Sequence, residues 1–196
     1  MTFTASIPED QAADAVAAMY AADREALGEV PNFTRAFSLR PDVYSAWRGL
    51  NVAIRSNMEL RRYELATIAA ARRLRSSYCM LAHGSVLTKK FMAPEAVRDL
   101  VEGGGAGELD PVDVAVMELA DKVAADATSV QESDIEKLRQ LGLTDAEIMD
   151  VVLAAAARCF FSKVLDGLGV QPDAKYSQLE PSLRDALVVG RPIAAD

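Results

Sequence analysis

The chain is poor in the side chains that build most active centres: it has one histidine and two cysteines in 196 residues. A single histidine excludes a multi-histidine metal centre. Two cysteines eighty residues apart do not make the disulfide framework of a small secreted domain. Aromatic residues make up only 6%, with one tryptophan, which leaves little material for sheet cores. Acidic residues outnumber basic ones, 29 to 21, and the net charge of −8 argues against nucleic acid or an anionic membrane as a partner. No apolar run reaches the roughly 18–20 residues of a membrane span. The opening Met-Thr-Phe-Thr-Ala-Ser lacks the basic stretch of a secretory signal, so the cytoplasm is the expected compartment.

What the chain does have is an apolar fraction of 51%, carried by Ala, Leu and Val. That composition favours helices, and no alternating pattern is long enough to read as a strand. The expected fold class is all-α, a helical bundle with one domain over residues 1–172 and an irregular tail over 173–196. Proline and glycine punctuate the helices. Helices are expected from Pro8 to Leu27, Asn32 to Leu39, Pro41 to Arg55, Leu60 to Leu74, and from Ser76 or Ser77 to Phe91. A short one starts at Pro94, and others cover Pro111–Ala125, Glu132–Leu141 and Thr144–Leu168. Gly103-Gly104-Gly105-Ala106-Gly107 is a break, and without a preceding strand or a following Gly-Lys-Ser/Thr it is no phosphate cradle. Glu64 to Arg73 and Glu147 to Arg158 resemble each other, as halves of a pseudo-symmetric bundle would. Past Pro172 the chain turns polar, with Pro181 and Pro192, and reads as disordered or wrapped on a neighbouring subunit.

The scarce residues cluster. Cys79 and His83 lie four positions apart in Ser76-Ser77-Tyr78-Cys79-Met80-Leu81-Ala82-His83. On a helix such a pair shares a face and can share a proton. The serines place Cys79 in the first helical turn, where the dipole favours a thiolate. Glu64 stands fifteen residues before Cys79, in the apolar run Tyr63-Glu-Leu-Ala-Thr-Ile-Ala-Ala-Ala. An unpaired carboxylate would be costly to bury there.

This pattern resembles the alkylhydroperoxidase D (AhpD) and carboxymuconolactone decarboxylase superfamily, whose signature is Glu, eleven residues, Cys-x-x-Cys, three residues, His. Glu64 fills the glutamate position, Cys79 the second cysteine and His83 the histidine, while Ser76 replaces the first cysteine. Leu138 to Val170, with Phe160-Phe161-Ser162-Lys163 and Gly167-Leu168-Gly169-Val170, is similar to the closing helix of the peroxidase-related branch. The resemblance covers roughly residues 30–172, with its core motif at about 60–92. It implies an AhpD-like bundle with a central helical hairpin carrying the site, assembled as trimers or hexamers. It also implies a peroxidase-related oxidoreductase with Cys79, His83 and Glu64 as catalytic residues and Ser76 and Tyr78 in support.

On that reading Glu64, through His83 or a water, deprotonates Cys79, and the thiolate reduces a hydroperoxide. Ser76 cannot close a disulfide, so an external thiol or reductant protein must complete the cycle. No cofactor is implied. Cys79, His83 and Glu64 could in principle ligate zinc, but their spacing is not that of a finger. Two alternatives stay open: a decarboxylase-type lyase using Glu64 and His83 for proton transfer, and a non-catalytic scaffold. Ser76 is expected mainly to cap its helix, and Tyr78 either to bond a bound oxygen or to pack. Cys159 reads as core, and Trp47, Phe160 and Phe161 as packing residues. Arg72, Arg73 and Arg75 form a solvated patch that could bias the neighbouring thiol towards thiolate.

Overall fold

In the computed structural model, residues 2–103 and 109–195 are described. Among them are ten α-helices and no strand. The glycine run from Gly104 to Gly107 lies outside the described residues. The helices are α1 (Asp14–Leu27), α2 (Asn32–Ala36), α3 (Pro41–Ser56), α4 (Leu60–Arg73), α5 (Ser77–Lys90), α6 (Pro94–Glu102), α7 (Pro111–Asp126), α8 (Glu132–Gln140), α9 (Asp145–Gly167) and α10 (Pro181–Leu187).

The centre of the molecule is α4. Glu59 caps it by accepting from the backbone N–H groups of Arg61 and Arg62, both at 3.0 Å. Every residue from Tyr63 to Ala71 is buried. A helix that is apolar all round can sit only inside a bundle. Its alanines let neighbours approach closely, and α5, α7 and α9 pack around it. Leu65 and Ile68 face one core, shared with Tyr20, Met80, Leu87 and Leu165. Ala66, Ala69 and Ala70 face a second, with Val116, Leu119, Leu138 and Val151.

α4 ends in a tight turn. Arg75 takes a left-handed conformation, φ 56°, and two backbone bonds close the helix end: Arg75 N–H to the Arg72 carbonyl and Ser76 N–H to that of Ala71, each at 3.0 Å. This is the Schellman arrangement, and it needs a positive φ at one residue, here an arginine and not the usual glycine. The chain reverses at once into α5, giving an α4–α5 hairpin. α9 starts with a capping box: Glu147 N–H donates to Thr144 Oγ1 at 3.3 Å, and Thr144 N–H to Glu147 Oε2 at 2.8 Å.

Two expectations are corrected. The first regular helix begins at Asp14, and only a single 3₁₀ turn, Glu9–Gln11, forms after Pro8. The segment beyond Pro172 is ordered and packs on its own chain: a 3₁₀ turn spans Ala174–Gln178, and α10 follows with Leu183 and Leu187 in the main core. α10 starts on Pro181 and is capped by Glu180, which accepts from Ser182 and Leu183 N–H at 3.0 and 2.8 Å. It lies so close to α5 that a Cβ on Gly84 would come within 2.9 Å of Leu187. Residues 188–191 then cross the hairpin turn, where Gly190 N–H donates to Ser77 Oγ at 2.7 Å and Arg75 Nε to the Val189 carbonyl at 3.2 Å.

Candidate functional site

The hairpin brings Glu64 of α4 against His83 of α5. Glu64 is 3% exposed, and its Oε2 accepts from His83 Nδ1 at 2.5 Å. The bond offsets the cost of a carboxylate in an apolar helix. It also fixes the ring: with Nδ1–H held by Glu64, the lone pair of a neutral His83 is on Nε2. The His83 side chain keeps 15% of its exposure, and the Tyr63 ring stands edge-on to it at 6.1 Å. Burial lowers the pKa of His83, and Arg158 lowers it further, while Glu64 acts in the opposite sense. The result is an imidazole that is neutral near neutral pH and gives up a proton readily once it has one.

Cys79 is the third helical residue of α5, as the capping serines implied, and is 1% exposed. Among the described residues no hydrogen bond joins it to His83. Its sulfur instead accepts from Ser162 Oγ at 3.2 Å and from Arg158 Nη1 at 3.4 Å, both on α9. Sequence reasoning missed these two residues as site members. Arg158 looked like the end of an alanine-rich helix, and Ser162 like part of a packing run.

The remaining expected residues fall as follows. Ser76 occupies the N-cap position of α5, but its hydroxyl makes no capping bond. It faces Asp166, whose pKa burial raises, with Ser76 and Arg191 drawing it partly back. The Tyr78 hydroxyl donates to Asp173 and accepts from Phe33 N–H at 3.3 Å, so it is engaged by the protein itself. Burial, and then Asp173, push the Tyr78 pKa well up. Cys159 is half-buried and unpaired, with its pKa raised by burial. Phe161 stacks on Trp47 at 3.9 Å, but Phe160 is exposed, contrary to expectation. Arg73 pairs with Asp121, Arg72 reaches the Val101 carbonyl and Arg75 that of Val189; the arginine on the thiol is Arg158. Among the described residues no group of three or more His, Cys, Asp or Glu side chains converges as a metal site would require.

No protein-family model matches the chain, and no curated protein matches it. Solved structures do. A peroxidase-related protein with an alkylhydroperoxidase AhpD core, from Ralstonia eutropha JMP134, superposes with a TM-score of 0.81 at 21% identity, over 89% of this chain and 94% of that one. A peroxidase-related protein from Silicibacter sp. TM1040 gives 0.76 at 20% identity, over 90% and 91%. The debrominase Bmp8, as a cysteine-to-alanine variant in complex with 2,3,4-tribromopyrrole, gives 0.73 at 12% identity, over 95% and 98%. The fold is AhpD-like.

Proposed function

We propose that the protein is a thiol-dependent oxidoreductase that reduces hydroperoxides through a single cysteine, Cys79. The observation that carries the reading is the buried Glu64–His83 pair, set one turn from a cysteine in the first turn of α5. His83, its tautomer held by Glu64, takes the thiol proton at Nε2. The thiolate attacks the terminal oxygen of the hydroperoxide, forming an S–O bond and breaking the O–O bond. Cys79 becomes a sulfenic acid and an alkoxide leaves. The lowered pKa of His83 suits it to return that proton to the alkoxide as an alcohol. Ser76 offers no thiol, so one external thiol forms a mixed disulfide with Cys79, releasing water, and a second frees it.

The test is hydroperoxide consumption with dithiothreitol as reductant, comparing the native protein with Cys79→Ser. Turnover that disappears in the variant, together with a gain of one oxygen atom on Cys79 when the reductant is omitted, is the expected result. Equal turnover in the variant overturns the proposal.

A second reading rests on the Glu64–His83 bond being independent of the sulfur: proton transfer on a small acid, as in a decarboxylase-type lyase. It is marked by activity that survives Cys79→Ser. The likeness to a debrominase supports including a brominated pyrrole among the substrates assayed, since a nucleophilic thiolate can also attack bromine. The apolar side chains that α3 and α9 leave exposed, Leu50, Val52, Met149 and Phe160, support a trimer or hexamer, which light scattering tests. Both cysteines are free, which fits a reducing cytoplasm. Among the described residues no helix is long and apolar enough to cross a membrane.

A further inference from the structure

Arg158 is 4% exposed, in the middle of the alanine-rich α9. A guanidinium cannot shed its charge inside a protein, and a buried cation needs an anion. Among the described residues, no carboxylate forms an ion pair with it. Its polar contacts are the Cys79 sulfur at 3.4 Å and the Tyr63 hydroxyl at 3.4 Å, while Nε has no partner. The Phe161 ring lies 5.7 Å from the guanidinium carbon and can offer only a weak face. Of the groups it touches, Cys79 is the one that becomes an anion most readily.

We propose that Arg158 is the built-in counterion of Cys79, stabilising its sulfur as a thiolate when the proton leaves for His83, with Ser162 as a second donor that orients it. Arg158 is thus a positioning and charge-pairing residue that acts on the reacting atom through contact with the sulfur. The groups around Cys79 fit this assignment. Arg158 and Ser162 of α9 touch the sulfur, Tyr63 of α4 shares the Arg158 guanidinium, Tyr176 in the 3₁₀ turn after α9 feels the charge of Cys79, and Arg158 with Arg55 of α3 acts on His83 of α5. Glu64 is taken up by His83, so it does not compete for Arg158 at bonding distance. The charge on Arg158 reflects the same contacts. Burial works against it, yet Cys79 and Tyr63 more than offset that, and its pKa is raised. The proton lost from the sulfur has a place on His83 Nε2.

The inference deepens the thiol reading of the site, but its test uses no peroxide, so the two can fail separately. Iodoacetamide alkylation of Cys79 is followed against pH by peptide mass in a Cys159→Ser background, for Arg158→Met, which keeps an unbranched stem and removes the charge, and for Arg158→Lys, which restores it. Arg158→Met is expected to slow alkylation at neutral pH by about tenfold and to move the rate profile up by about one pH unit. Arg158→Lys should recover most of the rate, which a merely space-filling residue would not explain. An unmoved profile in Arg158→Met, or no recovery with lysine, overturns the assignment. If Arg158→Met does not fold, the native protein decides: ultraviolet thiolate absorbance that vanishes in Cys79→Ser is expected to rise with a midpoint below the ordinary thiol value of about 8.5, and a midpoint at or above it refutes the proposal.

Discussion

Gly190 sits where residues 188–191 cross the α4–α5 turn, and a Cβ built on it would fall on the Arg75 carbonyl oxygen. That oxygen belongs to backbone pinned by two bonds, so it cannot swing aside as a side chain could. Gly190→Ala must lift the crossing segment instead. Lifting breaks the Gly190 N–H bond to Ser77 Oγ, at 2.7 Å, and the more exposed Arg75 bond to the Val189 carbonyl. Together these are worth about 1–2 kcal/mol. Val188, Val189 and Ile193, partly buried against the main core, lose part of that burial at a further cost of about 1–2 kcal/mol. The sum, about 2–4 kcal/mol, lowers the melting temperature of a chain this size by roughly 4–16 °C. Gly49 is the matched control: it lies inside α3, and a Cβ added there would meet nothing within 4 Å, so Gly49→Ala should stabilise by about 0.5–1 kcal/mol. Circular dichroism melts of the three proteins test the reasoning. A Gly190→Ala melt within about 2 °C of the native protein would refute it.

Three further outcomes are expected. Ser76→Cys should form an internal disulfide with Cys79 on oxidation, because N-cap and third helical positions face each other as in a capping box; a mass unchanged by two hydrogens would show that the geometry does not carry over. His83 has its folded pKa below the ordinary 6.5, so the unfolded chain binds the proton more readily, and this residue's stabilisation is present above that pH and lost as pH falls through the folded value. Urea denaturation between about pH 5 and 7 should show that acid loss, and a curve for His83→Gln with an equal slope would contradict it. Asp23, buried, accepts from Thr34 Oγ1 at 2.6 Å, Tyr44 Oη at 2.5 Å and Arg48. Asp23→Asn, by weakening the bonds that Thr34, Tyr44 and Arg48 donate to a buried carboxylate, should cost about 1–3 kcal/mol in chemical denaturation, and a loss below about 0.5 kcal/mol would disprove that role.

Much of this molecule is legible along the chain. Pro41, Pro94 and Pro111 each open a helix, Gly28, Gly103 and Gly142 follow helix ends, and Thr144 with Glu147 announces α9. Glu64 and His83 could be paired in advance because a carboxylate inside an alanine-rich helix demands a partner, and a sole histidine one hairpin away is the natural one. α10 was missed because three prolines in its neighbourhood outweighed the Glu180–Pro181 start signal in a helix of only seven residues. Arg158 was missed for a different reason. An arginine among alanines ordinarily sends its charge to solvent along a flexible stem, and only the packing of α9 against the hairpin shows that this one is enclosed. The Ser76 hydroxyl illustrates the same limit: the residue type predicts the position but not the bond.

The double-sided burial of α4 has a consequence for how the molecule opens. Leu65 and Ile68 belong to one core, and Ala66, Ala69 and Ala70 to the other, so neither core can come apart without stripping a face from the same helix. Among the described residues the two cores therefore share α4 as a common wall. Amide hydrogens in the middle of α4 should exchange only through global unfolding and be the slowest in the protein, whereas those of the exposed α8 exchange through local fraying. Glu64 is carried on that slowest segment. The acid side of the candidate site is thereby carried by the helix that both cores hold in place.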